Sequence, residues 1–262
     1  MPEIQVFANT TNPVLQGTDP FPFCVIDNLL PAEMFATCQD GLPGMDSDAW
    51  VKYENPLELK YALNDKQLFP TAIQKLLDVF YSPTFCQMLP KLLGLPDEQL
   101  YPDPLLLGAG VHRIPRGGKL DIHLDHNRNP DLVGMERRVN AIFWFHSEWD
   151  PEWGGDLELW SESHGLPGVC AVSVIPHPNR LALFKASDKS FHGHPEPLGC
   201  PDGKYRTSLA LYYYSKHLED MEVRPKVKFV PIPGQKNSPE LDSLRQRRAD
   251  PNTSASVWRS GV

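Results

Sequence analysis

From Leu105 to Ser215 the chain is cut into short apolar runs at steady intervals: LLLGAGVHRI, GKLDIHLD, RVNAIFWFH, GDLELWS, VCAVSVI, RLALFKA and YRTSLALYYYS, with one more around Phe191–Leu198. Gly, Pro and Asp separate the runs, and no helical pattern comes between them. Strands this closely spaced, with no helices as crossovers, predict a β-sandwich or barrel rather than a parallel α/β sheet. The 27 prolines among 262 residues fit a fold with many turns. No internal repeat is visible.

The flanks read differently. Residues 1–100 form an N-terminal strand and helical support region. FPFCVIDNLL (21–30) alternates as a strand, and Pro31 suits the first turn of a helix over PAEMFATCQDGL. Amphipathic stretches follow at TAIQKLLDVFYS (71–82) and PTFCQMLPKLLGL (83–95), the second expected to break at Pro90. Their Leu, Phe and Met stripes are core-facing. Residues 101–217 form the β-rich body, and 218–262 a peripheral or partly disordered tail. Within that tail KVKFVPIP suits one last edge strand, 240–248 a short helix, and Trp258 a tethering contact.

Composition narrows the function classes. A hydrophobic content of 41% can bury a real core, and the net charge of -8 argues against a nucleic-acid binder. No apolar run approaches the length of a membrane span, and MPEIQVFANTTNPVLQ lacks the basic and apolar regions of a secretory leader. The five cysteines are scattered with no CxxC, which excludes a zinc ribbon or disulfide framework and predicts a reducing compartment, hence a cytoplasmic protein. There is no phosphate-binding glycine loop, nucleophile elbow or zinc-protease motif.

The chemistry centres on His123-Leu124-Asp125. On a strand, residues i and i+2 share a face, so one metal can take both side chains. With a later histidine they make a facial triad that suits ferrous iron, because it leaves coordination positions open. Alone the HxD pattern is weak, since nine histidines produce chance matches. Its downstream order strengthens it: WGGDLELW, IPHPNRLALF, SFHGHPEPL and YRTSLALYYYS, the last placing Arg206 and Ser208 on one face. Arginine's planar fork holds a carboxylate bidentately, and a serine hydroxyl adds a donor.

Taken in this order, residues 105–215 resemble the iron(II)/2-oxoglutarate-dependent oxygenases, in particular their prolyl-4-hydroxylase-like branch. The resemblance implies an α+β, mainly β fold: a double-stranded β-helix (jelly roll) with N-terminal helices packed on one sheet. It implies His123, Asp125 and His192 as catalytic iron ligands. His192 is preferred over His194 because Ser190-Phe191-His192-Gly193 matches the family setting, which leaves His194 as a supporting or structurally satisfied histidine. Arg206, helped by Ser208, takes the distal carboxylate of 2-oxoglutarate.

Two departures stand out: Trp144 replaces one pocket tyrosine, and Arg113 or His112 the other, so Asn140 is the candidate to complete the co-substrate pocket. The implied reaction consumes O2, yields succinate and CO2, and hydroxylates an unactivated C–H bond, with ascorbate as reductant. Its substrate is a proline, peptidyl or free; the alternative is a small metabolite such as an amino acid or sugar-linked intermediate. A jelly-roll binding module would not need the His/Asp/His/Arg set, and a cupin-like metalloenzyme would leave Arg206 and Ser208 unexplained. His126, Asn127 and Arg128 either contact substrate at the cavity mouth or shape the loop.

Overall fold

The computed structural model describes residues 13–216 and 222–261. Its strands are β1 (Leu15–Gly17), β2 (Phe23–Ile26), β3 (Val51–Asn55), β4 (Glu58–Leu63), β5 (Tyr101–Pro102), β6 (Gly110–Ile114), β7 (Leu120–Leu124), β8 (Glu136–Trp144), β9 (Leu157–Ser163), β10 (Leu166–Val174), β11 (Arg180–Lys185), β12 (Phe191–His194), β13 (Arg206–Ser215) and β14 (Lys228–Phe229). The helices are α1 (Ala32–Ala36), α2 (Thr71–Phe80), α3 (Pro83–Leu92), α4 (Pro239–Ala249) and α5 (Ala255–Ser260). Among the described residues no helix is long and apolar enough to cross a membrane.

The strands join antiparallel into one sheet in the order β1-β2-β11-β8-β13-β6-β4-β7-β12-β9-β10, with β3 on β4, β5 on β13 and β14 on β7. The sheet curls until its inner faces surround one cavity of about 290 Å³. The eight evenly spaced runs are β6 to β13, and the curled sheet they form is the mainly-β jelly roll that the resemblance implies.

Strand β13 shows how the sequence builds both faces. Arg206, Ser208, Ala210 and Tyr212 line the cavity, while Leu209, Leu211 and Tyr213 pack into the main apolar core. Both faces are covered, so the whole strand is buried and reads as a continuous apolar run. In that core α2 contributes Ile73, Leu76, Leu77 and Phe80 at helical spacing, beside Ala141 and Phe143 of β8. Phe80 meets Phe85 edge-on at 5.0 Å and Phe143 at 5.9 Å. The Ser82 hydroxyl caps α3 by accepting from Phe85 N, and Pro83 occupies the tolerated first turn.

Three expectations need correction. Helix α3 runs through Pro90 instead of breaking there. The proline sits two residues from the helix end, so only one intrahelical hydrogen bond is lost, and its carbonyl still accepts from Leu95 N at 2.8 Å. Helix α1 is only five residues long and gives way to turns. The first hundred residues also hold the β3–β4 hairpin, in a stretch read above as helical support.

The tail is no loose end either. Strand β14 pairs with β7 beside His123, and α4 and Val257 of α5 close a small core over Leu57 and Phe229. The side chain of Trp258 lies outside the described residues.

Candidate active site

Histidines 123 and 192 face each other across the β7–β12 pair. Their rings are 4.4 Å apart, and Asp125 follows immediately after β7. Asp125 carboxylate oxygens lie 3.6 Å from His123 Nε2 and 3.3 Å from His192 Nε2. One ligand atom from each residue fits within a 4.8 Å spread, compact enough for one ion at ordinary bond lengths.

Backbone carbonyls fix the tautomers. His123 Nδ1 bonds the Asp121 carbonyl at 2.9 Å and His192 Nδ1 the Ser190 carbonyl at 2.8 Å, so each Nε2 lone pair turns toward Asp125. Burial, reinforced by His192, lowers the His123 pKa and keeps its imidazole neutral. Burial works against the Asp125 anion, but Arg137 and His192 hold its pKa well below the usual value. Two imidazoles and one carboxylate, set on one face, are a donor set suited to Fe(II).

Arg137, which the sequence reading missed, braces this carboxylate. Its Nη2 is 2.9 Å from Asp125 Oδ2, its Nε donates to Asn140 Oδ1 at 2.6 Å, and its guanidinium lies over the Tyr212 ring. Asn140 in turn donates to Asp125 Oδ2 at 2.8 Å, so its side chain is committed to the metal ligand. Arg137 and Asn140 are three apart, which in a regular strand means opposite faces. An irregularity where β8 pairs Val139 with Tyr213 but Arg137 with Tyr214 inserts one extra residue and brings both inside.

At the other end of the cavity lies Arg206, 4% exposed. Its Nε donates to the Gly155 carbonyl at 2.7 Å, and its guanidinium stands over the Trp144 ring. Burial pushes its pKa down to about 9 against the pull of Asp156. Among the described residues no carboxylate pairs with it, so the buried cation is short of an anion. Gly155, in the predicted Gly-Gly turn, is required here. Its φ is +78°, and a Cβ would come within 2.5 Å of Leu198 and 3.0 Å of Arg206.

Ser208 also lines the cavity, facing Trp144 on one side and His112 on the other. The choice left open between positions 112 and 113 resolves by face. His112 points into the cavity, whereas Arg113 lies over the rings of Trp50 and Tyr205.

Other contributors come from unexpected segments. The β3–β4 hairpin sends Tyr53, Glu58, Lys60 and Ala62 to the cavity wall. Its signal was present, since VKYEN and LELKYAL flank an Asn-Pro dipeptide. Asn127 shapes the loop: it exchanges hydrogen bonds with the backbone of Arg224 and donates to the Glu222 carbonyl. Arg224 reaches the Asp125 carbonyl at 3.1 Å and pairs with Asp188. Phe229 packs on the His123 ring at 5.4 Å, and Arg248 pairs with Glu58 at 2.5 Å. His126 contacts Tyr214 and Arg137.

The comparisons with known proteins agree with this geometry. The sequence model of the 2OG-Fe(II) oxygenase superfamily matches residues 109–214, the span that holds the triad and Arg206. Over that span the chain is similar to the superfamily, and the His123, Asp125 and His192 set within it is one that could hold a metal ion. It is 28% identical over 232 residues to the mouse (Mus musculus) protein named Prolyl 3-hydroxylase OGFOD1; that match covers 85% of this chain and 37% of the relative. The chain thus spans little more than a third of that relative's length.

A Trichoplax adhaerens prolyl hydroxylase, solved with a hypoxia inducible factor peptide fragment, superposes with a TM-score of 0.52 at 18% identity, covering 82% of this chain and 88% of its own. A Pseudomonas putida prolyl-4-hydroxylase gives 0.48 at 18% identity, over 82% and 99%. The Trichoplax structure speaks to the fold alone.

Proposed function

We propose that this chain is an Fe(II)- and 2-oxoglutarate-dependent dioxygenase that hydroxylates an unactivated C–H bond of a prolyl residue, releasing succinate and CO2. The observation that carries the reading is one cavity with the His123–Asp125–His192 set, its two histidines buried, near one end and the under-compensated Arg206 at the other. A prolyl substrate is supported by the mouse relative's name and by the match over most of this chain. The five free cysteines fit a reducing, cytoplasmic setting.

When bound, the iron and 2-oxoglutarate supply the oxidation of the C–H bond by O2. The chain's own residues orient and shield. Asn140 and Arg137 hold the Asp125 carboxylate in one pose, and the Asp121 and Ser190 carbonyls bond the Nδ1 atoms and orient the two rings with Nε2 toward Asp125. Arg206, its Nε tied to Gly155, would grip the distal carboxylate of 2-oxoglutarate with its terminal nitrogens, and Ser208 would add a hydroxyl. Apolar side chains of Ile142, Leu157 and Phe184 line the same cavity and keep water away from the reacting atoms.

The test is turnover with Fe(II), 2-oxoglutarate and a panel of proline-containing peptides alongside free proline, read by succinate release and product mass. Wild type should add one oxygen atom to a prolyl substrate, and His123→Ala should lose both metal and turnover. Succinate formation stimulated only by non-prolyl small molecules would reject the prolyl part. Failure of the wild type to bind 2-oxoglutarate in the presence of metal would reject the whole.

A further inference from the structure

His194 ends β12 two residues beyond the ligand His192 and is 4% exposed, yet neither of its ring nitrogens has a hydrogen-bond partner. A buried imidazole with both nitrogens unmet bears the desolvation cost of a donor and an acceptor. The ring lines the cavity, so a bound molecule can meet it.

Strand register indicates which part of that molecule. His192 faces His123 across β7, whereas His194 faces Leu120, on the side away from Asp125. On β13, Tyr212 faces Asn140, the partner of Asp125, and Arg206 is at the opposite end of the strand. His194 and Arg206 therefore share the end of the cavity remote from the metal carboxylate. The charged side chains that bear on His194 there, Arg206 and Lys60, are cationic. In such surroundings the acceptor that best suits an imidazole N–H is an anion.

We propose that His194 donates a hydrogen bond to the distal (C5) carboxylate of 2-oxoglutarate, beside Arg206, and so takes part in selecting that co-substrate. The assignment rests on the reading of Arg206 given above. Since the bond goes to the distal carboxylate, its loss should be felt only by 2-oxo acids that possess one.

The experiment uses the Mn(II)-loaded protein and equilibrium dialysis with 2-oxoglutarate and with 2-oxobutyrate, which lacks the distal carboxylate. His194→Phe should bind 2-oxoglutarate about tenfold more weakly, the order expected for a hydrogen bond to a charged group. Its affinities for Mn(II) and 2-oxobutyrate should be unchanged, and His194→Gln, which keeps a donor, should recover most of the loss. Equal weakening toward both acids would mean a merely structural residue and overturn the proposal, as would an unchanged affinity for 2-oxoglutarate.

Should the phenylalanine variant fail to fold, a wild-type crystal structure with Mn(II) and 2-oxoglutarate decides. A His194 nitrogen farther than about 3.5 Å from the distal carboxylate overturns the assignment. An Arg206→Ala protein that binds 2-oxoglutarate as well as wild type would instead overturn the Arg206 reading.

Discussion

At Asp125 the two carboxylate oxygens have separate duties. Oδ2 takes the hydrogen bond of Asn140 and the charge of Arg137, which leaves Oδ1, on the His123 side, as the better placed donor to a metal. Such outer partners orient a ligand without touching the ion, and their removal typically costs ten- to a hundredfold in metal affinity. Asn140→Ala should therefore weaken Mn(II) binding by about that factor in titration calorimetry, with the melting temperature little changed. An unchanged affinity would show that Arg137 alone suffices. Gly155→Ala should do the opposite, because its new Cβ strikes Leu198 and Arg206. It should weaken 2-oxoglutarate binding while the triad still holds Mn(II); equal affinity for 2-oxoglutarate would mean that Arg206 does not depend on the turn.

Among the elements, the tail and the β3–β4 hairpin stabilise each other through Glu58. Burial disfavours its charge, but Lys60 and Arg248 more than offset this and bring its pKa from 4.5 down to about 2. A carboxyl depressed in the folded state adds stability that is fully present above its unfolded pKa. That stability should fade as pH drops from about 4.5 toward 2. Urea midpoints across this window should fall more steeply for wild type than for Glu58→Gln; parallel curves would remove the pair from the account.

The β3–β4 hairpin and strand β8 mark where sequence was hard to read. His123, Asp125, Arg206 and Ser208 were visible because a strand has a period of two and their partners follow in order. Arg137 was hidden because the irregularity in β8 changes that period between it and Asn140. The hairpin was hidden because Leu, Glu, Lys and Ala also suit a helix, despite the Asn-Pro punctuation. Helix α4, expected over 240–248, spans Pro239–Ala249 and buries Leu244 together with Arg245 and Arg248.

Across the whole molecule, one curled sheet separates two environments: a polar, catalytic interior and an apolar exterior face under α2 and α3. The interior fixes what reaction is open to the ion. Asp125 would offer the ion an anionic oxygen in a place that a halide could otherwise take. Turnover in chloride buffer under labelled O2 should therefore give a product that carries one labelled oxygen and no chlorine. A chlorinated product would contradict the assignment of Asp125 as a ligand.

The strand that lies along the metal ligands also sets an order of assembly. Phe229 covers the His123 ring, and Arg224 fastens the carbonyl of Asp125, yet both are made well after the ligands themselves. On the ribosome His123, Asp125 and His192 emerge first and must wait, uncovered, for the segment that closes their flank. Contacts so distant in sequence form slowly and late. Iron bound before that closure would sit on a His123 ring that Phe229 has yet to cover.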